Sequence, residues 1–393
     1  MDIILFGGID WTDSRRLPVH HVTERLAEDH RVFYVDNFGG VRDLRWSDLK
    51  RGISKVETAL KRRVNAENDA GETKDEDPNI TVYQPLIIPT PRFPNTIGRL
   101  NGYLIARGVR QLMQEYNIRK PVVWTRVATH ISWFAIQRID PALLIYQVVD
   151  DFPNNPFLTE DLKNLHAEYV DKFSTSADLI FASARGLKES KKKQNDHVHF
   201  FPNGVNAEQF IECDAVEPEE LQSIPTPRIG FIGTIRPEVD FRTLEAVAQK
   251  RKDWSFLFIG PVTDFADDEK LAAMDNVHFV GSVDHSRVPA FCEHLDLGII
   301  PYKQTKFTRY TFPSKMAEYL AAGLPVLASD LSEIRPYDDV VGIYRTPDEF
   351  VNQAEVHMER RGDAEIQKRR DLAKQLSWNE IVGGMIEVMK RTL

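Results

Sequence analysis

The chain has 393 residues, 42% of them hydrophobic and 28% charged, with a formal net charge of −9. That length exceeds what one hydrophobic core usually organises and argues for two domains. The composition excludes a disordered or fibrous chain, and the acidic balance excludes a general nucleic-acid binder. Lys and Arg against Asp and Glu number 28 against 27 over residues 1–203 and 22 against 32 over residues 204–393, so the negative charge sits in the second half.

The first element in chain order is Ile3-Ile4-Leu5-Phe6, an apolar run closed by Gly7-Gly8, which predicts a buried parallel strand ending in a glycine turn. Apolar residues at near-helical spacing from Arg16 to Asp29 predict a helix, and Val32-Phe33-Tyr34-Val35 a second strand. The alternation continues through Val122–Trp124, Leu143–Val149, Leu179–Phe181 and Val198–Phe201. Between Val35 and Val122, Lys61–Asn79 is almost without apolar residues and reads as a mobile surface insertion.

A second strand series follows at Arg228–Gly233, Phe256–Gly260, Val277–Gly281, Leu297–Ile300 and Val326–Ser329, with helix-length segments between. The polar, proline-bearing stretch Glu208–Pro227 lies between the two series and reads as a linker. Residues Asp348–Arg360 and Trp378–Thr392 read as helices, the last with an apolar stripe of Ile381, Met385, Ile386 and Met389. Strand–helix alternation of this kind predicts an α/β protein with two parallel, doubly wound sheets. The expected division is an N-terminal domain over 1–203, a C-terminal domain over 204–377 and a closing helix over 378–393 that packs back on the first domain.

No stretch approaches the roughly 18 apolar residues of a membrane span, and acids stand where a secretion signal carries basic residues, so a cytoplasmic protein is expected. The basic clusters Lys61–Arg62–Arg63 and Lys191–Lys192–Lys193 could touch anionic headgroups at the inner membrane face; solvated helix ends explain them as well. Cys213 and Cys292 have no His cluster at ligand spacing, and no metal or cofactor is expected.

Ligands of open α/β sheets bind beyond the strands' carboxyl ends, where glycine turns and helix N-termini present backbone N–H groups. Gly7-Gly8, Gly233-Thr234 and Gly260-Pro261 are such turns, none of them in a GxGxxG or Walker sequence. The stretch Phe312-Pro313-Ser314-Lys315-Met316-Ala317-Glu318 up to Gly323-Leu324-Pro325 predicts a helix opened by proline and ended by glycine. Its free N–H groups and the Lys315 ammonium favour a diphosphate, and Glu318 lies roughly 7.5 Å beyond Pro313 along the axis, suited to ribose hydroxyls.

These residues resemble the GT-B retaining glycosyltransferases of family 4 (glycosyl transferases group 1) and relatives that build bacterial surface polysaccharides. The resemblance rests on four blocks: Phe201-Pro202-Asn203-Gly204-Val205-Asn206, Gly230–Thr234, Asn276–Gly281 and Pro313–Val326. It implies two Rossmann-like domains facing across a cleft. It implies a metal-independent transfer from a UDP- or GDP-sugar to an acceptor hydroxyl, on a sugar, a lipid-linked or a small-molecule acceptor.

By the same resemblance, Glu318 matches the glutamate at the donor ribose, while the family's partner glutamate is Tyr310 here. Its usual diphosphate-neutralising arginine reads Thr234, which leaves Arg236, Arg309 and Lys315 as candidates. Gly8, Gly233, Gly260 and Ser314 complete the implied donor set. Asp151, ahead of Asp150, is the candidate to orient the acceptor, and His21 after the first glycine turn is a further one beside a structural role. A nucleotide-sugar epimerase and a catalytically silent nucleotide-sugar-binding partner remain as alternatives.

Overall fold

A computed structural model describes residues 1–13, 16–38, 77–88, 94–156, 158–263 and 269–393. The chain forms two compact units: Met1–Ala182 with Lys188–Phe200 and Gly384–Leu393, and Ser183–Leu187 with Phe201–Gly383.

In the first unit, β1 (Asp2–Phe6), β2 (Arg31–Val35), β3 (Ile80–Tyr83), β4 (Val122–Thr125), β5 (Leu143–Val148), β6 (Leu179–Ala182) and β7 (Val198–Phe200) form one parallel sheet. Their order is β3-β2-β1-β4-β5-β6-β7. Strand β1 is central because it is apolar on both faces: Ile3, Ile4, Leu5 and Phe6 are all buried, with Ile3 beside Val32 on one side and Val122 on the other. A run that alternated with polar residues could not be covered by helices on both faces.

The second unit repeats the plan. Strands β8 (Arg228–Ile232), β9 (Ser255–Ile259), β10 (Val277–Gly281), β11 (Leu297–Ile300), β12 (Val326–Ser329) and β13 (Gly342–Tyr344) are parallel in the order β10-β9-β8-β11-β12-β13. Successive side chains of one strand enter different cores, since Phe256 and Phe258 pack with Trp254 and Leu244 while Leu257 and Ile259 pack with Met316 and Leu320. Period-2 geometry divides each strand in this way, and both divisions are apolar here. In each sheet the strand order reverses between two neighbours, β1 and β4 or β8 and β11, and that reversal opens a crevice at the carboxyl edge.

Two edge strands go beyond the expected series: Ile80–Tyr83 and Gly342–Tyr344, each short and stabilised by pairing with a neighbour. The expected linker Glu208–Pro227 is also corrected. It contributes Phe210, Leu221 and Ile224 to the core beneath the Ser314–Ala321 helix, and buried Arg228 donates to the carbonyls of Leu221 (2.8 Å) and Ile224 (2.9 Å). One arginine satisfies two carbonyls of the stretch that follows the short helix Ala207–Ile211, so its polar composition concealed a packed role. Residues 61–76 of the expected insertion, with the Lys61–Arg62–Arg63 cluster, lie outside the described residues.

Candidate functional site

The carboxyl edge of the second sheet is built around the end of β8. Gly233 follows that strand with φ +134°, and Gly260 follows β9 with φ +140°, a backbone region that L side chains rarely adopt. The two turns touch: a Cβ on Gly260 would stand 2.3 Å from the Gly233 carbonyl oxygen. Gly260 is therefore a packing glycine beneath the turn. Gly233 faces the opening, where the Lys315 Cε and Nζ lie 3.3 and 3.4 Å from the position of its absent Cβ.

Lys315 belongs to the helix Ser314–Ala321, which runs between β11 and β12. Its Nζ donates to the Tyr302 hydroxyl at 2.6 Å and lies 4.9 Å from the centre of the Phe231 ring. The ammonium is thus held at the β8/β11 reversal. Pro313 supplies an extended cap residue with no side-chain cap, and among the described residues no acceptor takes the backbone N–H groups of Ser314 and Lys315. Two N–H groups at a positive helix end beside an ammonium and a glycine turn can attract an anion.

The helix is fixed from below and behind. Tyr319 is fully buried, and its hydroxyl accepts the Ile232 N–H at 2.8 Å, tying the helix to the last residue of β8. At the far end Gly323 has φ +76°, and buried Arg369 donates to its carbonyl at 2.8 Å. Glu318 is half-buried on the same helix, and no hydrogen bond or ion pair engages its carboxylate among the described residues. Arg236 and Arg309 are both exposed, the latter with its guanidinium 5.6 Å from the Tyr310 ring centre.

Tyr310 has its own structural account. Its ring occupies the space above Gly186, 2.2 Å from where a Cβ would be, and Glu333 lies against the same glycine. The Glu333 carboxylate accepts the N–H groups of Arg185 and Gly186, both at 2.8 Å, and so caps the helix Arg185–Lys191. Each oxygen of that carboxylate accepts one of these backbone N–H groups.

Gly233, Thr234, Ser314, Lys315 and Glu318 all belong to the second unit, as do Arg236, on a loop, and Arg309, in the short 3-10 helix Thr308–Tyr310. Gly8 and Asp151 belong to the first unit. Gly8 has φ +68° with Val127 packed where its Cβ would be, and Asp151 heads a short turn in which Asn154 donates to its carboxylate at 2.8 Å. His20 is the buried member of its pair: its Nδ1 accepts the Leu17 N–H, its Nε2 lies 3.1 Å from the Asp10 carbonyl, and burial lowers its pKa. His21 Nδ1 lies 3.5 Å from Glu24. Sequence reasoning missed Tyr302, Phe231 and Tyr319; their only signal was an aromatic at or just past a strand end or inside the helix.

Residues 226–357 match the family described as Glycosyl transferases group 1. The chain resembles that family. It is 35% identical over 238 residues to a Bacillus subtilis (strain 168) protein named for teichuronic acid biosynthesis, glycosyltransferase TuaH, a match covering 55% of this chain and 59% of the relative. The alignment thus spans about three-fifths of the length of that relative. Among solved structures, sucrose-phosphate synthase from Thermosynechococcus elongatus superposes with a TM-score of 0.72 at 13% identity, over 100% of this chain and 98% of that one. Anabaena Alr3699/HepE, solved in complex with UDP, gives 0.65 at 13% identity over 100% of both chains. The fold of this chain is that of the GT-B glycosyltransferases.

Proposed function

We propose that this chain is a group 1 glycosyltransferase that moves a sugar from a nucleoside-diphosphate donor to an acceptor hydroxyl, with retention at the anomeric carbon, in surface-polysaccharide synthesis. The observation that carries this reading is the Lys315 ammonium poised over Gly233 at the open start of a helix that bears Glu318. The anion site takes the diphosphate and Glu318 the ribose hydroxyls. UDP is the first donor nucleotide to consider, supported by the UDP complex of the Anabaena protein.

In such a transfer the barrier arises from charge developing on the departing diphosphate, so a cation and helix N–H groups held in place before reaction act on the transition state. Lys315 and the Ser314 N–H meet that charge directly, and Arg236 and Arg309 are the exposed cations that join them. Asp151 is assigned to the acceptor hydroxyl.

The test is nucleotide release from UDP-, GDP- and dTDP-sugars, with UDP binding measured in parallel. Glu318→Ala is expected to weaken UDP binding and release together, about tenfold or more, because a charged hydrogen-bond partner of the ribose is lost. Unchanged nucleotide affinity in that variant would remove the assignment. A second reading, a catalytically silent nucleotide-sugar-binding protein, is favoured by one observation: the residue at the partner-glutamate position is a tyrosine packed on Gly186. Tight UDP binding with no release across sugar, lipid-linked and small-molecule acceptors would select it.

A further inference from the structure

The basic cluster Lys191–Lys192–Lys193 does not present three free cations, since Lys191 is buried and Lys192 is paired with Glu189 at 2.9 Å. Arg126, elsewhere in the first unit, is a cation of another kind. Its side chain is half-buried, and among the described residues no hydrogen bond or ion pair engages its guanidinium. Withdrawing part of a charged group from water without a fixed partner costs stability, which a ligand of opposite charge can return.

The strands set its place. β1 and β4 pair as far as Phe6 beside Thr125, so Gly7 and Arg126 come next, at the carboxyl edge where the strand order reverses. The turn that carries Arg126 is tied by the buried Thr125 hydroxyl, which donates to the Val127 carbonyl at 3.1 Å and accepts the Val127 N–H at 3.2 Å. Val127 packs on Gly8, 2.3 Å from where a Cβ would be. Gly7 leaves its side-chain space to the buried Tyr34 ring, whose hydroxyl donates to the Ile9 carbonyl at 2.8 Å. Tyr34 and Asp150, the latter just past the end of β5, are the ionisable groups whose fields reach the guanidinium. A tied turn, a glycine pair and a buried ring thus fix the root of a guanidinium left open at the crevice of the first sheet.

We propose that Arg126 takes the carboxylate of an acidic sugar, so that one of the two sugars brought together in the transfer is a uronic acid. The proposal rests on the glycosyltransferase reading above. A planar guanidinium offers two parallel N–H donors that match a carboxylate. A phosphate ester suits the position less, since it brings up to about two charges to one guanidinium that already lies in the field of Asp150. Either sugar can supply the carboxylate: Arg126 adjoins Gly8, of the implied donor set, and lies in the field of Asp150, next to the Asp151 assigned to the acceptor.

The test is calorimetric binding to the full chain in two arms. The donor arm compares UDP-glucuronate with UDP-glucose and GDP-mannuronate with GDP-mannose. The acceptor arm compares methyl glycosides of glucuronate, galacturonate and mannuronate with those of the matching neutral hexoses, in the presence of whichever nucleotide binds. In one arm the acid is expected to bind about tenfold or more tighter than its neutral counterpart, and that arm names the sugar concerned. Arg126→Met should erase the preference. Arg126→Lys keeps the charge without the fork and should retain only part of it, a comparison that holds even if methionine loosens the turn. No acid preference in either arm, or one that Arg126→Met leaves intact, would overturn this proposal while nucleotide binding stands. No binding of UDP, GDP or dTDP would overturn the reading beneath it, and the proposal with it.

Discussion

Lys315 is a flexible side chain held in one place by three neighbours: the Tyr302 hydroxyl, the Phe231 ring and the glycine beneath it. Holding a flexible ammonium before reaction removes reorganisation from the chemical step. Replacement by methionine keeps the stem and removes the charge, and kcat for donor consumption should fall about 10²–10³-fold with a smaller change in KM. An arginine there would restore charge but not the point geometry, so only partial recovery is expected. Steady-state kinetics of the two variants side by side make the comparison. Gly260→Ala tests the other half of the floor: its methyl would meet the Gly233 carbonyl at 2.3 Å, and a lower denaturation midpoint is expected even without nucleotide.

At the scale of elements, the helix Ser314–Ala321 was largely legible in the sequence, because its boundaries are local chemistry: a proline that opens it and a glycine at φ +76° that closes it. The apolar strands were legible for the same reason. What could not be read were features that depend on partners far along the chain. Tyr319 looks like any apolar-stripe aromatic until its hydroxyl is seen to hold the Ile232 N–H, 87 residues away. Glu333 looks like a surface acid until it caps a helix 147 residues earlier. The short strands Ile80–Tyr83 and Gly342–Tyr344 carry too little sequence to declare themselves, and Phe210, Leu221 and Ile224 are spread among polar residues.

The Tyr319 contact gives a prediction at this scale. Tyr319→Phe leaves a buried backbone N–H without its partner and should cost about 1–3 kcal/mol of stability. Because the same bond sets the helix against β8, donor KM should rise as well. A drop in stability with unchanged donor kinetics would show that the bond only supports the core.

For the molecule as a whole, acid sensitivity follows from two buried histidines. Burial depresses His130 in the first unit and His357 in the second, each to about 4, and neither imidazole is exposed. Released by unfolding, each takes up a proton near its ordinary value of about 6.5. Between those values the unfolded chain binds more protons than the folded one, so stability is full above about pH 6.5 and declines as pH falls toward about 4. Urea midpoints measured across that window should fall in both units, and His357→Gln should flatten the decline in the second. No such loss between neutral pH and about pH 5 would show that the two imidazoles take up protons in the folded chain as readily as in the unfolded one.

The backbone contact between the Gly233 and Gly260 turns bears on how donor choice can change over evolutionary or laboratory time. The floor of the proposed diphosphate position is main chain resting on main chain: a side chain at Gly260 would meet the Gly233 carbonyl, and one at Gly233 would need a backbone angle that L residues rarely adopt. New preferences for base or sugar must therefore arise around it, at positions such as Thr234, Arg236 and Arg309 whose side chains are at least partly exposed. A library built to retune the donor would be wasted on the two glycines and best spent on that rim.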